Sequence, residues 1–147
     1  MTMPLQHGRG PKPSRIAAAA FLLAGLALSS CSPGLNRPVR EVTAGTGSDG
    51  VQHVEITAHS YWYEPNRIVV KSGVPVELHI RNASWILPHG FTCIAPDAGL
   101  EAHKGMGYFG KSKTIKFTPK EPGEYPFFCQ VANHSKKGMT GTLVVQK

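Results

Sequence analysis

The chain has 147 residues, 41% of them hydrophobic and 17% charged, which corresponds to one domain with appendages and is too apolar for a disordered chain. Its 16 Gly and 12 Pro favour turns over long helices, and its 3 Cys are too few for a disulfide scaffold. The formal net charge of +7 comes partly from the first residues: without residues 1–30 the chain keeps 13 basic and 9 acidic side chains, a mild +4 that excludes a nucleic-acid footprint.

Residues 1–15 carry Arg9, Lys12 and Arg15 and no acid, and residues 16–28 are uninterrupted small or apolar side chains. A basic segment followed by 13 apolar residues, shorter than the roughly 20 that span a bilayer, is the pattern of an export signal. Leu28-Ser29-Ser30-Cys31 follows and resembles the lipobox of bacterial lipoproteins, which implies cleavage before Cys31 and lipidation of that residue. The expected organisation is a signal peptide over 1–30, a lipidated Cys31 with a flexible Pro/Gly/Ser/Thr-rich tether over 31–50, and one folded domain over 51–147. That domain would sit in the periplasm, anchored to a membrane.

Within 51–147, apolar residues recur at every second position. Val54, Ile56 and Ala58 form one such run; Val76, Leu78 and Ile80 another; Ile115 and Phe117 a third; Tyr125, Phe127 and Cys129 a fourth. Residues 67–71 and 140–146 are also strand-like, and His89 begins a further run. Turn residues separate the runs at Glu64-Pro65-Asn66, Ser72-Gly73 and Glu121-Pro122-Gly123. The expected class is all-β, about seven strands in a sandwich or barrel. Residues 96–111 form the one long irregular stretch, with room for a short helical turn.

The chemistry concentrates after the fourth run. Cys129, His134 and Met139 follow one another as Cys-x4-His-x4-Met, and His89 lies upstream in Leu87-Pro88-His89-Gly90-Phe91. A thiolate and a thioether are soft donors and imidazole suits copper and zinc; two His and one Cys with a weak axial Met make a blue-copper electron-transfer site. Zinc prefers four strong donors, and a thioether is not one.

On these residues the chain resembles the cupredoxins, with Cys-x4-His-x4-Met closest to the loop lengths of auracyanin and rusticyanin. Gly123-Glu124-Tyr125-Pro126-Phe127-Phe128-Cys129 resembles the family's strand into the Cys, and Tyr63 to Gly73 its opening strands. The resemblance implies a Greek-key β-sandwich with one mononuclear copper held by His89, Cys129, His134 and axial Met139. It further implies a monomeric carrier that passes single electrons between redox partner proteins and does no substrate chemistry. Gly90 departs from the family, where Asn commonly follows the first His and fastens the ligand loop. Another group must then steady the thiolate.

Other residues have plainer readings. His103 competes with His89 for the ligand role; His53, His59 and His79 are expected to face solvent or find partners nearby; Cys93 is expected to be a buried thiol. Trp85, Leu87, Pro88 and Gly138 flank the ligands, as an apolar docking patch around His134 or as the closed end of the sandwich. Lys104, Lys111, Lys136 and Lys137 either steer an acidic partner or form a solvated face. Multicopper enzymes need additional His-rich sites, and this domain has no His-x-His pair; the binuclear site of cytochrome oxidase subunit II needs two Cys in the loop where only Cys129 stands. The remaining alternative is copper delivery, with Met106 a possible second thioether.

Overall fold

A computed structural model describes residues 37–147; the signal segment and Cys31 lie outside the described residues. The described residues form ten strands: β1 (Glu41–Thr43), β2 (Gln52–His59), β3 (Trp62–Glu64), β4 (Arg67–Lys71), β5 (Val76–Asn82), β6 (His89–Ala95), β7 (Leu100–Gly107), β8 (Ser112–Phe117), β9 (Gly123–Phe128) and β10 (Thr140–Gln146). One 3-10 turn, Ser135–Lys137, interrupts the β9–β10 connection. No described helix is long and apolar enough to cross a membrane.

The strands pack as a sandwich of a six-stranded sheet, ordered β1-β4-β10-β9-β6-β7, on a four-stranded sheet, ordered β3-β2-β5-β8. The alternating runs explain the layers. Along β2, Val54, Ile56 and Ala58 point inward while His53 and Glu55 face water, and along β5 Val76, Leu78 and Ile80 do the same. Pairing of β2 with β5 and of β4 with β10 is parallel, so both sheets are mixed. In β4, Ile68, Val69 and Val70 are all buried, as suits a strand flanked on both sides.

Three strands escape the sequence pattern. Residues 41–43, read as tether, pair in parallel with Arg67–Val69, and Ala44 is buried beside them. The folded unit therefore begins before residue 51, and three residues are too few to show a period. The short β3 is missed for the same reason. The middle half of the stretch 96–111 is β7, and no helical turn forms there: Leu100, Ala102 and Met106 alternate inward, but Lys104 breaks the pattern. An exposed lysine on this outermost strand also blocks further strand pairing.

Two buried polar side chains join these elements. Gln52 accepts from the Lys71 amide at 2.7 Å and donates to the carbonyls of Lys71 and Val74 at 3.1 and 3.2 Å, tying β2 to the turn after β4. Asn82 donates to the carbonyls of Leu87 and Gly107 at 2.9 and 2.6 Å and accepts from the Ser84 amide at 2.8 Å. Both are fully buried, so each bond also avoids an unpaired polar group. Asn82 thereby holds the segment that delivers His89.

Candidate metal centre

Strands β6 and β9 are neighbours and run antiparallel, with Thr92 opposite Phe128. The first residue of β6 therefore lies at the sheet end where β9 finishes. His89 is that first residue, and Cys129 directly follows β9. The β9–β10 loop then brings His134 back over them. Donor atoms of His89, Cys129 and His134 all lie within 4.8 Å of one another, and all three residues are buried. His103 is not part of this group; it sits exposed on β7, its Nδ1 3.0 Å from the Thr92 hydroxyl.

The loop is fastened by its own backbone. The Cys129 amide donates to the Met139 carbonyl at 3.0 Å, and the Met139 amide to the His134 carbonyl at 3.1 Å. Gly138 closes the 3-10 turn with φ of 94°, a conformation glycine takes without steric cost. Met139 is fully buried. Its backbone bonds thus hold all three loop residues in one register.

Below the loop lies an aromatic cluster. Phe91 stacks on Phe127 at 4.9 Å between centroids, and Tyr63 meets Phe127 and Phe91 edge-on at 5.4 and 6.0 Å. Such pairs add about 0.5–1.5 kcal/mol each beyond their buried area. The Tyr63 hydroxyl donates to the Gly90 carbonyl, and burial pushes its pKa upward. The Gly90 amide in turn donates to Cys129 Sγ at 3.4 Å. These bonds answer the loss of the family's Asn: the backbone of Gly90, anchored by Tyr63, steadies the thiolate.

Gly90 also leaves room for its neighbour. A Cβ here would stand 2.3–2.4 Å from the Gln130 side-chain amide, which occupies the space above it. Gln130 Oε1 accepts from the Thr92 hydroxyl at 3.0 Å. Gly90→Ala is expected to push Gln130 off Thr92 and to lower stability by about 1 kcal/mol, the worth of one hydrogen bond, measured by denaturant unfolding of the metal-free protein.

Electrostatics favour neutral imidazoles. Burial, followed by the nearby His134 and His59, pulls the His89 pKa down to about 4. Burial and Lys137 lower His134. Both ring nitrogens of His89 are buried without a hydrogen-bond partner among the described residues. A buried polar atom left unpaired costs about 1–3 kcal/mol, so this imidazole is built to be satisfied by something else. Sγ of Cys129 lies 3.6 Å from His134 Nδ1, and the two imidazole rings are 5.1 Å apart. One thiolate and two neutral imidazoles around a common point, with a buried thioether in the same loop, fit a single copper ion.

Cys93 and Cys129 are both free thiols; Cys93 is buried in β6 and burial pushes its pKa up to about 11, so it is an inert packing group. His53 pairs with Asp49 at 2.8 Å, His79 with the Thr114 hydroxyl at 3.2 Å, and His59 stacks on Trp62 and faces Glu64 at 3.5 Å. Trp85 and Ile86 are 77% and 80% exposed in the segment leading to His89, and Trp85 stacks on Phe109 at 4.0 Å. Trp85 and Ile86 stand four and three residues before His89 in the chain. Lys104, Lys111, Lys136 and Lys137 are all exposed. Asn82, Tyr63 and Gln130 are the supporting residues that sequence reasoning missed. Only the position of Gln130 directly after Cys129 offered a signal.

Cytochrome c oxidase subunit 2 of Thermus thermophilus is 30% identical to this chain over 95 residues. The chain spans 65% of that protein's length, and 52% of the same subunit from a second strain of that organism. Auracyanin from Roseiflexus castenholzii superposes with a TM-score of 0.59 at 23% identity, covering 71% of this chain and 99% of its own. The Cu(I)-bound metal-binding domain of a Cu(I)-exporting P-type ATPase from Streptococcus pneumoniae D39 gives 0.57 at 24% identity, covering 74% of this chain and 98% of its own. At these identities the structural likenesses speak for the fold. The model of the cupredoxin-like domain matches residues 17–145, and with that match over most of its length the chain belongs to the cupredoxin family.

Proposed function

We propose that this cupredoxin is a one-electron carrier with a type 1 copper centre, exported to the periplasm and held at a membrane surface through lipid on Cys31. The observation that carries the reading is the buried triad of His89, Cys129 and His134, with donor atoms within 4.8 Å of one another. Bound copper supplies a Cu(II)/Cu(I) couple that takes up and returns one electron. His89, Cys129 and His134 would hold the ion, with the Met139 thioether as a fourth, weaker donor. Cys129 offers the strongly coupled thiolate, and the two neutral imidazoles complete a donor set acceptable to both oxidation states. Rigid support of these side chains by the Cys129–Met139 backbone bond and the Gly90 amide keeps rearrangement on electron transfer small. Redox partners dock at the copper end, using the exposed Trp85 and Ile86 in the segment before His89 and the exposed Lys136 and Lys137 in the turn after His134.

Likeness to the Cu(I)-bound domain of a copper exporter supports a second reading, copper delivery. The oxidase relative does not bring its binuclear chemistry here, because the Cys129–Met139 loop holds one cysteine. Retention of metal separates carrier from delivery protein. Cycled repeatedly between a mild reductant and oxidant in the presence of a Cu(I) acceptor, a carrier keeps its copper. Transfer of the metal to the acceptor within the first cycles would replace this reading with delivery.

A further inference from the structure

Tyr61 occupies the second position of the two-residue turn between β2 and β3, which pair through His59 and Trp62. Its φ is 68°, in the left-handed region. Two-residue hairpins favour Gly or Asn at such a position, and a bulky aromatic there is an outlier. Strain of this kind is kept where the surroundings hold it for a purpose. Here the surroundings are the ligand loop. The Tyr61 ring meets the His134 imidazole edge-on, 5.0 Å between centroids at 85°. Lys137 also places its Nζ 4.3 Å from the ring centroid and donates to the Tyr61 hydroxyl at 3.1 Å. Lys137 belongs to the 3-10 turn that starts one residue after His134. His134 itself, though in a surface loop, is only 6% exposed.

We infer that Tyr61 is a cap on the His134 side of the metal centre, latched by Lys137, which limits access of competing ligands and so sets how slowly copper is given up. The inference rests on the copper-site reading above. The sequence held no sign of it, since Tyr61 lies 73 positions before His134. The strained backbone fits a cap because the turn must tilt the ring toward the ligand loop. The cation–π contact fits a latch because it is weak enough to open at an exposed site.

The test compares wild type with Tyr61→Ala, Tyr61→Phe and Tyr61→Gly. Each is loaded with Cu(I), and transfer to a sulfonated bathocuproine chelator is followed. Tyr61→Ala and Tyr61→Gly are expected to release copper about tenfold faster, with the change in the dissociation rate. Tyr61→Phe keeps the ring and stays near wild type. Tyr61→Gly relieves the left-handed strain, so it should release copper fast while melting no lower than Tyr61→Ala, which separates capping from folding. A second readout needs no metal: alkylation of Cys129 by iodoacetamide in the metal-free proteins, located by peptide mass spectrometry, should be faster without the ring. Wild-type rates of both copper release and Cys129 alkylation in Tyr61→Ala would overturn the cap. A wild-type protein without a thiolate-to-copper band would overturn the copper-site reading instead, and the alkylation comparison would still decide whether Tyr61 shields the pocket.

Discussion

Cys129→Ser is expected to remove the intense visible absorption of the Cu(II)-loaded protein and to weaken copper binding by more than about 100-fold, beyond the 10–100-fold that loss of an outer-shell partner costs. The colour depends on a thiolate bonded to the metal, and among the described residues Cys129 is the one cysteine grouped with His89 and His134. The change is otherwise mild: a hydroxyl can still accept from the Gly90 amide, and the backbone bond from the Cys129 amide to the Met139 carbonyl is kept. Retention of the band would mean that another sulfur binds copper. Absorption and copper titration of the purified variant decide the matter.

His89→Gly should leave a protein that folds but holds copper at least about 100-fold more weakly, whereas His103→Gly should bind as wild type. The contrast follows from position. His89 is buried, its two nitrogens have no hydrogen-bond partner among the described residues, and its removal empties one corner of the triad. His103 is exposed on β7 and loses only its bond to Thr92, worth about 1 kcal/mol. Competition titration against a chelator of known affinity checks both variants. If the His103 variant were the one to lose copper, the ligand assignment would be wrong. Added imidazole should restore binding in the His89 variant, because the vacated space lies directly beside the other donors.

The ligand loop is legible in sequence because its chemistry is local: Cys129, His134 and Met139 lie within eleven residues, and soft donors at that spacing have few other uses. His89 is legible for a different reason, as a histidine opening a strand-like run. Strands β2, β5 and β8 show themselves by period two because each has one face in the core and one in water. The elements that stay hidden lack that signal. β1 and β3 are three residues each, and β7 carries Lys104 where an apolar residue would complete its alternation. The supporting residues are hidden because their work is done over long sequence separations. Tyr63 reaches Gly90 across 27 positions, and Asn82 holds Gly107 across 25. The Gly90 departure is visible in sequence, but what fills its place is readable only in three dimensions, where the Gln130 amide stands in the space of the missing side chain.

The central claim is that Cys129 bonds to a copper ion that changes oxidation state in place. The visible absorption spectrum of the Cu(II)-loaded domain, recorded before and after a mild reductant and again after reoxidation, tests it most directly. The account predicts a strong blue or green thiolate-to-copper band that bleaches on reduction and returns on oxidation. A protein that binds one copper and stays colourless would contradict it, because Cys129 would then not be a ligand.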